Sequence, residues 1–101
     1  MNFEQVGQLH ALRRFMECYF HQDWDLQGHD SGEVVRSVKK DLSREERDGL
    51  VGDLKILLAF DASEEELADA MVVLGSDVVP SMGGSSNRAW LEAMLEALEP
   101  R

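Results

Sequence analysis

Apolar positions recur along this chain at steps of three and four residues, the period of a helix with one buried face. Val6, Leu9, Leu12, Met16, Tyr19 and Phe20 share a side and predict a first helix from about residue 3 to 21, with Arg13, Arg14 and Glu17 on or near its wet side. Val34, Val35 and Val38 predict a shorter second helix that Ser31 can cap, with Lys39 and Lys40 suited to its C-terminal dipole. Leu50, Val51, Leu54, Leu57 and Leu58 mark a third, at about 44 to 60, and Leu67, Met71 and Leu74 a fourth, at about 64 to 74. Trp90, Leu91, Met94, Leu95 and Leu98 form the inner face of a last helix that ends at Pro100. The only hint of extended chain is Val78 and Val79.

Polar punctuation agrees with these stripes. Ser43 with Glu46 and Ser63 with Glu66 have the spacing of capping boxes, in which two side chains satisfy two backbone amides at a helix start. Gly75 is placed to stop the fourth helix, and Ser85 or Ser86 to cap the last. Residues 76–87 hold Pro80, Gly83, Gly84 and four serines, and residues 22–30 hold Gly28 and Asp30, so both stretches predict loops. Repeats of 20 to 50 residues are absent. The expected fold is therefore all-α: residues 1–101 as a single-domain compact bundle of about five helices.

Composition adds a field to this bundle. Ten basic residues stand against 20 acidic ones, for a net charge of −10. Residues 1–55 carry 8 basic and 11 acidic side chains, and residues 56–101 carry 2 and 9, so most of the excess, −7, belongs to the C-terminal part. Such a surface repels nucleic acid and anionic lipid and attracts basic protein surfaces. With an ordinary apolar fraction of 44 %, no apolar run of membrane-spanning length and no basic-then-apolar start, the chain is expected to fold and to stay in the cytosol. The lone Cys18 cannot form an internal disulfide and reads as a small core residue rather than a nucleophile.

The stretch Cys18 to Asp25 is the least ordinary part of the chain. His21, Asp23, Asp25 and His29 offer two imidazoles and two carboxylates within nine residues, a donor set for a divalent metal but without a recognised ligand spacing. Helix-end and turn duties account for the same residues, so no cofactor or metal is expected. Gly83, Gly84 and Ser85 make only a loose phosphate cradle, with no lysine following. The aromatics Phe15, Tyr19, Phe20, Trp24 and Trp90 read as core, because a base-stacking platform needs basic partners. Catalysis has no support in these residues, and binding is the better class.

Tyr19-Phe20-His21-Gln22-Asp23-Trp24, closing the first helix, resembles the YFxQDW signature of immunity proteins (CdiI-type) from bacterial contact-dependent growth inhibition systems. The resemblance extends to a serine- and acid-started middle helix, here Ser63 to Leu74, and to a Gly-Ser loop leading into a Trp-Leu helix, here Gly84 to Leu98. It implies a protein that binds the C-terminal toxin domain of a large secreted effector, commonly a nuclease such as a tRNase, and blocks it by occluding the active site. A monomer or a one-to-one complex with that toxin is the implied assembly, with no direct contact to nucleic acid or membrane.

A motif common to proteins that each match a different toxin is expected to serve the fold, which assigns Tyr19, Phe20, Gln22, Asp23 and Trp24 to structure, with Trp24 the candidate anchor of the contact if it is exposed beside Asp23 and Asp25. Toxin contacts are then expected among acids elsewhere: Asp61, Glu64, Glu65 and Asp69 around the fourth helix, and the loop acids Asp25 and Asp30. Glu66 is left out because it caps. Two other readings fit the same residues: an acidic helical adaptor for an unrelated basic protein, and a small metal-dependent enzyme using His21, Asp23, Asp25 and His29.

Overall fold

The computed structural model describes residues 3–20, 31–76 and 86–99. These form α1 (Phe3–Gly7), α2 (His10–Tyr19), α3 (Ser31–Lys39), α4 (Arg44–Ala59), α5 (Glu64–Val73) and α6 (Asn87–Leu98), with no strand among the described residues. The fold is all-α, and its radius of gyration of 12.5 Å matches a packed chain of this length.

The stripes read from the sequence meet in one core. α4 packs against both α2 and α6, and α6 also lies against α3 and α5, while α1 rests on α5. Leu12, Met16 and Phe20 share one buried cluster with Leu50, Leu54 and Leu57 of α4, Leu67 and Met71 of α5, Leu74 at its C-cap, and Leu91 and Leu98 of α6, all essentially removed from water. Val35 and Val38 complete the floor, with Val34 half-buried beside them. Burial of this apolar surface is the main force holding the short helices, each too short to be stable alone.

Both capping boxes form. Ser43 Oγ accepts the Glu46 backbone N–H at 3.1 Å and Ser63 Oγ accepts that of Glu66 at 3.1 Å, each glutamate returning the favour to the serine N–H at 3.2 Å. Ser86, rather than Ser85, caps α6 by accepting the Ala89 N–H at 3.0 Å. At the end of α5 the Ser76 N–H donates to Met71 O and the Gly75 N–H to Val72 O, both at 3.0 Å, the paired bonds of a Schellman stop. Gly75 sits at φ 84°, where a side chain is strained.

Four expectations need correction. The single helix predicted over 3–21 is two: Gln8 and Leu9 donate to carbonyls three residues back, and the His10 N–H then donates to Gln8 O at 2.8 Å. Leu9, at φ −77° and ψ 71°, is the centre of an inverse γ-turn. Val6, Leu9 and Leu12 nevertheless all stay buried, so the hydrophobic period runs through the break without registering it. Cys18 is exposed, not a core residue. Tyr19 is 39 % exposed, its ring 5.2 Å from Phe15 at the edge of the core rather than inside it. Ser31, expected to precede α3 as its cap, is the first residue of that helix.

Candidate functional site

The acidic residues divide into those the fold uses and those it leaves facing water. Glu46 and Glu66 belong to the capping boxes, and their carboxyls are held below the ordinary range by hydrogen bonds within those boxes. Glu17, Asp48 and Glu99 form exposed pairs with Arg13, Arg44 and Lys55 at 3.1, 3.9 and 3.9 Å. Pairs as exposed as these contribute about 0–1 kcal/mol each.

Two further carboxylates cap helices other than their own. α2 begins without a side-chain cap of its own, since Leu9 occupies that place. Asp53, in the middle of α4, supplies it: its Oδ2 accepts the Leu12 N–H at 3.0 Å across 41 residues of chain. Glu64, in the first turn of α5, does the same for α6, Oε1 accepting the Asn87 N–H at 2.7 Å and Oε2 the Arg88 N–H at 3.1 Å. The Asn87 side-chain amide returns a bond to Glu64 O at 3.2 Å. These bonds, first from Arg88 and then from Asn87, lower the pKa of the Glu64 carboxyl.

Arg88 carries the linkage onward. Its Nη1 donates to Leu58 O at 3.2 Å and its Nη2 to Phe60 O at 3.1 Å, satisfying carbonyls that the end of α4 leaves unpaired. The start of α5, the start of α6 and the end of α4 are thus tied at one corner. Sequence reasoning gave Glu64 to a partner and missed both Asp53 and Arg88. A leucine at the head of α2 hints at a missing cap, but nothing along the chain says which distant acid provides it.

With those acids assigned, Asp61, Glu65 and Asp69 stand exposed, without an ion pair or hydrogen-bonding side chain among the described residues. Glu65 and Asp69 are one turn apart on the outer face of α5, which continues to Val72, 72 % exposed, and Val73, 40 % exposed. This face is the candidate site: anionic at its amino end and apolar at its carboxyl end.

Of the motif at the end of α2, Phe20 is fully buried, 5.3 Å from Trp90 in an edge-to-face contact and 5.7 Å from Phe15. Tyr19 instead borders a groove of about 210 Å³ lined with Arg14, Cys18, Leu42 and Leu50. Gln22, Asp23 and Trp24 lie outside the described residues, as do the expected loop contacts Asp25 and Asp30 and the metal candidates His21 and His29. Among the described residues no three His, Cys, Asp or Glu side chains gather as metal ligands, and no helix is long and apolar enough to cross a membrane.

Residues 8–98 match the model of the CdiI immunity protein family. The fold is similar to a chain in the crystal structure of the CdiA-CT/CdiI complex from Y. kristensenii 33638, with a TM-score of 0.79 at 24 % identity over 88 % of this chain and 96 % of that one. No curated protein sequence matches.

Proposed function

This chain belongs to the CdiI immunity protein family, and from that membership we propose that it binds and neutralises the C-terminal toxin domain of a cognate contact-dependent growth inhibition effector. The proposed mechanism is occlusion. A rigid bundle lies over the toxin's active cleft or substrate path, and no bond is made or broken, so the chain is an inhibitor and not an enzyme. It acts in the cytosol, where it meets the toxin, as one half of a one-to-one complex.

The toxin is proposed to be a nuclease such as a tRNase. A domain that grips nucleic acid needs a basic groove, and an inhibitor of net charge −10 carries the complementary field. That field steers encounter and fixes orientation more than it adds affinity. The contact acids proposed are Asp61, Glu65 and Asp69, with Asp25 and Asp30 as a second patch. Glu64 is reassigned to positioning, because both its carboxylate oxygens already hold α6.

The observation that carries this reading is the family match across residues 8–98; the exposed acids of α5 supply a surface for it. That the similar chain comes from a CdiA-CT/CdiI complex supports a protein partner of that kind. The test is copurification: the C-terminal toxin domain of the cognate effector, inactivated and affinity-tagged, should retain this chain at one to one through gel filtration. A pair that separates under those conditions contradicts the proposal.

A further inference from the structure

α5 already has a buried face, in Leu67, Ala70 and Met71, continued by Leu74 at its C-cap. Val72 and Val73 lie outside it, and Val72, at 72 %, is the most exposed of the large hydrophobic residues described. A β-branched side chain at a wet helical position lowers helix propensity relative to alanine, lysine or glutamate and returns nothing in packing. The fold therefore gives no reason for Val72.

The neighbours supply one. At 3.6 residues per turn, Glu65, Asp69 and Val72 fall within an arc of about 60°, and Val72 is about 10 Å along the axis from Glu65. The valine thus continues a line of carboxylates that have no ion-pair partner among the described residues. Just beyond it, the Schellman bonds of Gly75 and Ser76 to Val72 O and Met71 O hold the end of the helix in a set geometry. A contact made there costs little in ordering, since the backbone is already fixed.

We propose that Val72, with Val73 beside it, is the apolar anchor of the toxin contact. The facing toxin surface presents a shallow apolar socket edged by lysine or arginine side chains, which meet Glu65 and Asp69. This inference rests on the immunity reading above and adds to it the residue that holds the complex once charge has brought it together. Exposed ion pairs are individually weak, and interfaces depend on a desolvated centre ringed by polar contacts.

The test compares binding kinetics of wild type, Val72→Thr, the double variant Val72→Ala with Val73→Ala, and Ile56→Thr, against the inactivated C-terminal toxin domain of the cognate effector. Thermal unfolding of each variant and sedimentation of the free protein accompany the kinetics. Ile56, 51 % exposed on α4, is the control for loss of a wet apolar side chain away from this face.

The double variant should bind at least about tenfold more weakly, through faster dissociation, and by the same factor at low and high salt. Val72→Thr, of nearly equal shape, should lose several-fold, and Ile56→Thr should match wild type. Wild-type binding with the double variant within twofold of it overturns the anchor. A free dimer that the double variant dissociates, with toxin binding unchanged, also overturns it by giving the face to a second copy. If the wild type itself fails to bind, the immunity reading is rejected and the anchor with it.

Discussion

Glu64 and Arg88 are joined through the backbone: the glutamate's Oε2 accepts the arginine's main-chain N–H at 3.1 Å while the arginine's guanidinium reaches away to the end of α4. One residue caps the start of α6 and the other uses that start as a platform to close a neighbouring helix. The most acidic turn of the chain therefore contributes two carboxylates to architecture, Glu64 to the start of α6 and Glu66 to its own capping box, and leaves Glu65 facing water.

Glu64→Gln removes the charge and one of the two acceptors, so it should lower the melting temperature at neutral pH. The carboxyl is held below its ordinary value of 4.5, so its contribution is fully present above that value and is lost as pH falls through the depressed one. The gap in melting temperature between wild type and variant should be widest near neutrality and close under acid. A gap that persists or widens at low pH contradicts the cap.

Asp53→Ala should destabilise the fold by about 1 kcal/mol, the usual cost of losing a helix N-cap, even though Asp53 lies mid-helix in α4. Glu92→Ala, an exposed helical acid on α6, is the comparison and should change stability little. Chemical denaturation of the two variants checks this, and equal midpoints reject the long-range cap.

Gly75→Ala should cost about 1–2 kcal/mol through its left-handed backbone alone. The added Cβ would also approach Glu17 Cγ to 2.7 Å, so the α2 side chain must shift. Gly52→Ala, whose Cβ meets nothing within 4 Å in the middle of α4, should be neutral or stabilising. Both are read from urea unfolding, and a Gly75→Ala protein as stable as wild type rejects the stop.

What the sequence revealed and what it hid divide along range. The boxes at Ser43 and Ser63 and the stop at Gly75 are local chemistry, written within a few residues, and each is found in place. The γ-turn at Leu9 was missed because a three-residue step between Val6 and Leu9 suits both a continuous helix and a tightened one. Cys18 was misplaced because its neighbours Met16 and Phe20 are buried while its own position faces out. For the site, acidity was legible but allocation was not: Glu64, Glu65 and Glu66 look alike in a row. Only the fold separates a tertiary cap, an exposed acid and a capping-box member.

Glu65→Lys with Asp69→Lys should keep the fold at a cost of about 1 kcal/mol, since neither side chain pairs with another among the described residues and only the favourable place of Glu65 in the first turn of α5 is lost. Association with the toxin domain should slow by about tenfold at low salt, with a flatter dependence on ionic strength. Stopped-flow association across a salt series measures both, and unchanged rates remove this face from the interface.

Protection of the cell is read from co-expression. The C-terminal toxin domain of the cognate effector is induced in bacteria with and without this chain, and growth is followed. Arrest without the chain and restored growth with it is the predicted result. Continued arrest, with the chain folded and abundant in the same cells, contradicts cognate immunity.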